Sequence, residues 1–301
     1  MRVAIAGAGD LARYFCEEFL KAGHQVTILT RSEKEYLKRP NVNQVITDYT
    51  LDSVSKAIAD CEALISAVLD YSMGYKDLHL TLLEACQKSP KCKRFIPSEF
   101  AGDIKHYPHE PPFYADSHEP VREALRNQQD VEWTLVCAGW FMDYVVPPKN
   151  RHLKEIGETF PIDLSTNRAV IPGTGKEPVD ITAVRDVARA VTALLEAPRW
   201  EPYTFVSGQK TCWLDVFEVM RARHPDMKPT FKSLEQLVEE RNSPDKNVSG
   251  LAEYQIFSCT GPASLEAKEA DAQRTKYFKG IQIRTLVDFL EEYDQNPDAI
   301  L

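Results

Sequence analysis

The chain reads as an α/β protein with a doubly wound parallel sheet and a smaller, partly interwoven C-terminal lobe, and three observations predict it. Over the first third, short β-branched runs alternate with amphipathic segments, which calls for parallel strands buried between helices. Between the first run and the first amphipathic segment stands a glycine turn, GAGDLA, from Gly7 to Ala12. Near residue 145 the texture changes to proline, glycine and mixed polar residues, as loops and an appended lobe require.

The elements follow in order. RVAIAG opens as a strand and DLARYFCEEFLKAG as a helix, because Leu11, Phe15 and Phe19 recur every four residues and Gly23 supplies a left-handed stop. QVTILTR is the second strand, LDSVSKAIADC a helix, EALISAV a strand, KDLHLTLLEACQKS a helix and RFIPSEF a strand. WTLVCAG, after residue 130, continues the sheet. VVPPKN and IPGTGKEP read as loops, VDITAVRDVARAVTALLEAP as a helix, and YTFVSG as a strand returning to the main sheet. CWLDVFEVMRARH, SLEQLVEERN and RTLVDFLEEYDQN are helical, interrupted by GPAS. The expected division is a nucleotide-binding domain over 1–150, with the strand near 203–208 returning to it, and a smaller substrate-binding lobe over 151–301.

With 43% hydrophobic and 27% charged residues in 301, the composition is that of a globular protein with ample core. A net charge of -9 and the lack of any basic run interleaved with aromatics exclude a nucleic-acid binder. Seven scattered cysteines without a C-x-x-C argue against a disulfide framework and against structural zinc. The apolar start is too short for a signal-peptide core and no stretch approaches a membrane span, so a cytoplasmic protein is expected. A small molecule is the expected partner, with no nucleic acid and no membrane, and a homodimer is left open.

GAGDLA matches G-x-G-x-x-[GA] between a strand and a helix, the setting of a Rossmann-type dinucleotide site. Gly7 would permit the tight turn, Gly9 the approach of backbone to a pyrophosphate, and Ala12 close helix-strand packing. Asp10 and Leu11 complete the helix N-terminus that would face the anion. The second strand ends with Arg31, where NAD sites carry an acidic residue, so NADP(H) is the expected cofactor. Ser32 and Lys34 would assist, Lys34 being equally explicable as a solvated loop lysine. Ser66 and Ser98, at later strand ends, complete the expected cofactor contacts.

KCKRFIPSEFAGD, residues 91–103, is a narrower signature. Together with Arg31, AGWF at Ala138 to Phe141, the IPGTGK loop, VDITAVRDVARAV and the closing YFKGIQIRTLVDFLEEY, it resembles the atypical short-chain dehydrogenase/reductase group of isoflavone reductase-like and NmrA-like proteins. The resemblance implies an NADPH-dependent reductase acting on a small aromatic or conjugated secondary metabolite. It also implies a catalytic lysine ahead of a helix of pattern K-x-x-[IV]-R; aligning Val121 and Arg122 puts His118 at that position. Tyr114, four residues earlier, preserves the tyrosine-to-lysine spacing of short-chain dehydrogenases. The missing lysine keeps two alternatives open: a redox-neutral isomerase, cyclase or dehydratase using His118 as acid-base group, and a non-catalytic NADP-sensing regulator.

HYPHEPPFYADSH, residues 106–118, holds three of the chain's seven histidines. Pro108, Pro111 and Pro112 break any helix that would gather them around a metal, so no metal is expected and His106 and His109 read as solvated loop residues. Asp116 and Glu119 predict a capping box that places His118 at a helix N-terminus, where the dipole would keep its imidazole neutral. His118 is then the candidate proton-handling group, with Tyr114 beside it, or else a structural cap. Glu99 and Phe100 at a strand end, and Trp140, Phe141 and Tyr144 as an aromatic wall, are the substrate-binding candidates, with loop anchoring and core packing as the alternatives.

Overall fold

The structure, a computed structural model, describes residues 1–70 and 72–301. Six parallel strands form the main sheet: β1 (Arg2–Ala6), β2 (Gln25–Thr30), β3 (Val42–Ile46), β4 (Ala63–Ser66), β5 (Arg94–Ile96) and β6 (Glu132–Trp133), in the order β3-β2-β1-β4-β5-β6. The central strands β1, β2 and β4 are buried along almost their whole length because helices cover both faces of the sheet. α1 (Asp10–Lys21) lies on one side and α2 (Leu51–Ala57) and α3 (Gly74–Lys88) on the other. Phe15 and Phe19 of the predicted stripe are fully buried, and Gly23 ends α1 at φ +80°.

Chain order reverses at β1 and β4, so the loops after these two strands part and leave a crevice at their carboxyl ends. RFIPSEF forms a strand only over β5, since Pro97 lacks the N–H that a ladder needs. The following segment carries α4 (Tyr114–Ser117) and α5 (Glu119–Arg126). WTLVCAG splits into β6 and β7 (Leu135–Cys137), with β8 (Trp140–Phe141) beyond Gly139.

The second half is more finely divided than the sequence suggests. β9 (Ile162–Asp163), β10 (Arg168–Pro172) and β11 (Pro178–Thr182) precede α6 (Val184–Glu196), so VDIT, expected as helix, is strand. β12 (Tyr203–Phe205) pairs in parallel with β7 and extends the large layer. β13 (Gln209–Cys212), α7 (Trp213–Arg223), β14 (Lys228–Lys232), α8 (Leu234–Arg241), α9 (Lys246–Phe257), α10 (Ala267–Tyr277) and α11 (Leu286–Gln295) complete the chain. Two small sheets, β14-β10-β9 and β13-β11-β8, enclose a separate core of Trp140, Phe160, Trp213, Phe217 and Phe289.

α6 packs on α1, which sets the second half against the glycine turn. Arg185 at its start donates to Glu17 at 2.9 Å and Glu18 at 2.8 Å. Arg284 is buried against Asp186. These charge-assisted contacts fix the wall on the far side of the crevice.

Candidate active site

The crevice is a cleft of about 980 Å³ running from the glycine turn to an aromatic wall. Gly7 has φ +97°, the left-handed region that favours glycine. Its amide is already committed to the Leu29 carbonyl at 2.9 Å and the Tyr49 hydroxyl at 3.0 Å. The first-turn amides of α1, which have no intrahelical partner, are the donors this end of the cleft offers to an anion. Asp10 spends a carboxylate oxygen on the Lys154 amide at 2.9 Å, tethering the 151–156 segment over this end of the cleft. Ala12 lies fully buried beneath the turn, where only a small side chain lets α1 sit close on the sheet.

Gly9 has ordinary backbone angles, φ -86° and ψ -153°, and a Cβ added there meets nothing within 4 Å. The space above it is free for a phosphate. Gly9→Val is therefore expected to fold normally by circular dichroism while weakening nucleotide binding at least tenfold in a fluorescence titration. Unchanged affinity would mean that the glycine serves the turn alone.

Arg31 is exposed at the end of β2, its guanidinium carbon 6.0 Å from the Tyr49 ring centre. Lys34 Nζ reaches Ser32 Oγ at 2.9 Å, and the Lys34 backbone is clamped by Gln44 at 2.8 and 3.0 Å. The three residues thus form one cationic, hydroxyl-bearing corner of the cleft. Tyr36, which the sequence reading missed, closes this corner by donating to the Ala8 carbonyl at 2.6 Å. Ser66 needs correcting as a cofactor contact. It is fully buried at the end of β4, its hydroxyl facing the Val68 amide at 3.5 Å, and Ala67 and Val68 line the cleft instead. Ser98 does line it, with its amide held by His79 Nε2 at 3.3 Å and its carbonyl by the Tyr75 hydroxyl at 3.2 Å.

His118 sits on the cleft between two phenol rings. Tyr75 of α3 stacks on it at 3.7 Å and Tyr114 of α4 at 4.0 Å between ring centres. The predicted capping box is absent: helical hydrogen bonding already runs from Phe113 to Ser117 and from Tyr114 to His118, and His118 is the αR link between α4 and α5. The imidazole is nevertheless held neutral. Burial pushes its pKa down to about 4; Glu99 opposes this and Arg122 adds to it. Its neighbour His79, fully buried, is likewise lowered to about 4 by burial. His106 and His109 are exposed, His106 bonded to Asp103 at 2.8 Å. Among the described residues, no cluster of three or more metal-ligating side chains occurs.

Glu99 lines the cleft, yet both its oxygens are taken by Arg122, at 2.9 and 2.8 Å. Burial pushes the Glu99 carboxyl up, but the Arg122 guanidinium outweighs burial and holds it below the ordinary value. Its geometry is that of a buried anchor beneath the site. Phe100, at φ +42°, is braced on Phe15 with ring centres 5.2 Å apart. The aromatic wall divides: Trp140 is only 8% exposed and packs among Phe160, Trp213, Tyr254 and Phe257, whereas Phe141 and Tyr144 are half-buried along the cleft. Tyr254 and Phe257 of α9 complete the wall. Their spacing of three residues on a helix was the one sequence signal for them.

An open parallel sheet with a glycine turn and a ligand cleft at its switch point defines a Rossmann-type α/β protein. The NmrA-like family model matches residues 2–213, and the chain belongs to that family, of which isoflavone reductase-like proteins are relatives. It is similar to "Oxidoreductase swnR" of Arthroderma benhamiae, 49% identical over the whole of both chains, and to the protein of the same name from Metarhizium robertsii, 50% identical over the whole of both. Among solved structures, AtPrR2 with NADP+ and (+)pinoresinol superposes with a TM-score of 0.79 at 18% identity, over 97% of this chain and 98% of that one. The chain is an enzyme, and both of these relatives are named oxidoreductases.

Proposed function

We propose that the protein is an NADP(H)-dependent reductase of a small aromatic or conjugated metabolite, with His118 exchanging the proton. One observation carries this reading: a single cleft joins a cationic corner, an unobstructed helix N-terminus, a neutral imidazole and an aromatic wall. Gly9, Asp10 and Leu11 would hold the pyrophosphate, and Arg31, Ser32 and Lys34 the 2′-phosphate; NADPH, when bound, supplies hydride. Phe141 and Tyr144 flank a planar substrate, and Tyr114 holds His118 flat against the cleft. Residues 1–150 then serve the nucleotide and also carry His118, Phe141 and Tyr144, while 151–301 adds Tyr254 and Phe257 to the substrate end, in a cytoplasmic setting that keeps the buried thiols reduced.

A neutral imidazole accepts a proton more readily than it donates one. This favours, as a second reading, a redox-neutral isomerisation or dehydration on the same site. The two separate in one assay: with a panel of conjugated carbonyl and phenolic compounds, the reductase consumes NADPH in proportion to product, whereas the isomerase forms product at constant NADPH. Cofactor choice is tested at Arg31. A charge-assisted fork to the 2′-phosphate is worth about 1.5–3 kcal/mol, so Arg31→Ala should weaken NADPH roughly 10- to 150-fold and leave NADH unchanged. Equal affinity of the unmodified protein for both nucleotides would overturn the NADP assignment.

A further inference from the structure

We infer that Ser117 is the positioning residue that holds His118 in its Nδ1–H tautomer, so that the cleft presents a proton acceptor, Nε2, to its ligand. This rests on the reading of His118 as the proton-handling group and adds the form in which it meets the substrate. Ser117 Oγ lies 2.7 Å from the Phe113 carbonyl and 2.7 Å from His118 Nδ1. A serine hydroxyl has one proton to give. The carbonyl has none, so Ser117 donates to Phe113 and must accept from the ring. The proton therefore sits on Nδ1, and the lone pair on Nε2.

The surroundings hold that state. Ser117 is itself 3% exposed, its hydroxyl fixed by its own helix, and the ring is clamped between Tyr75 and Tyr114 at interplanar angles of 17° and 25°. The titratable groups packed around the ring are Tyr75 and His79 from α3, Tyr114 from α4, Glu99 from the loop after β5, and Arg122 from α5. Glu99 is paired in full with Arg122, so among the described residues packed around the ring no uncommitted carboxylate favours its cation. The hydrogen bond that His118 makes to a described side chain is at Nδ1, and the residue lines the cleft. A ligand group that meets Nε2 of the neutral ring is accordingly a hydrogen-bond donor, a hydroxyl or an N–H.

NMR of the imidazole ring nitrogens tests this on the full chain at neutral pH, with the His118 signals assigned by their loss in His118→Gln. The unmodified protein should show a single Nδ1–H tautomer at His118. Ser117→Ala should shift the ring towards the Nε2–H form that an unrestrained histidine favours, and Ser117→Thr, which keeps a hydroxyl at this position, should preserve the original signals. An Nε2–H ring in the unmodified protein overturns the inference even if the alanine variant fails to fold. Unchanged signals in a folded Ser117→Ala protein overturn it equally. The readout needs no turnover, so it is independent of the catalytic reading: full activity in His118→Ala would remove His118 from the chemistry and leave the tautomer measurement standing.

Discussion

Arg122→Met should lower the stability of the protein by about 3–5 kcal/mol, the usual cost of leaving one member of a buried ion pair unpaired. The side chains of Arg122 and Glu99 are 1% and 0% exposed, and two parallel N–H to oxygen bonds join them. A third bond, from Arg122 Nη1 to the Pro108 carbonyl, and the Tyr114 ring 5.2 Å from the guanidinium carbon tie the histidine-rich loop and α4 to the same side chain. With the guanidinium gone, Glu99 must take up a proton or admit water, and the loop loses its tether. Thermal denaturation should then show a fall in midpoint on the order of 10 °C, given about 2–4 °C per kcal/mol for chains of a few hundred residues. Adding Glu99→Gln removes the stranded charge and should recover much of the loss, because neighbouring sites of one network do not add. A midpoint within error of the unmodified protein would show that the pair is not needed.

That pair marks where reading the sequence stopped. Local rules were enough for the glycine turn, for the α1 stripe and for the place of Arg31 just past β2, because each depends on residues within one strand-helix-strand unit. They were not enough for the surroundings of His118. Tyr75 and His79 arrive from α3, some forty positions upstream, and Glu99 from the end of β5; only the closed sheet brings them together. Asp116 and Glu119 suggested a helix start, but the backbone bond from Tyr114 to Pro111 begins the helical path earlier. Pro120, in the first turn of α5, lacks the N–H that would carry helical bonding across from α4. The imidazole is neutral as expected, through burial rather than through a dipole. Strands such as KPTFK and QKTC went unread because they are short and polar, without the alternation that marks a half-buried strand.

His118→Ala should lower turnover by roughly two to four orders of magnitude with little change in nucleotide affinity, the range for loss of a general acid-base group. The pH profile identifies its role. With a pKa near 4, the ring is neutral from about pH 5 upward. If His118 accepts the proton, the rate is flat across neutral pH and falls as pH drops through 4, where the acceptor is consumed. If it donates, the rate falls about tenfold per unit above pH 4, because the active form is the cation. His118→Lys separates the two further. A lysine between the same rings would be lowered from about 10.4 by burial yet remain cationic to a higher pH than the imidazole, so an acceptor mechanism would shift its profile to higher pH and a donor mechanism would gain rate at neutral pH. The neutral, Nδ1-protonated ring favours the acceptor outcome: a flat neutral-pH profile for the unmodified protein and a displaced one for the lysine variant. Unaltered turnover in His118→Ala, measured with the native substrate, would remove the imidazole from the mechanism and leave it a packed aromatic between Tyr75 and Tyr114.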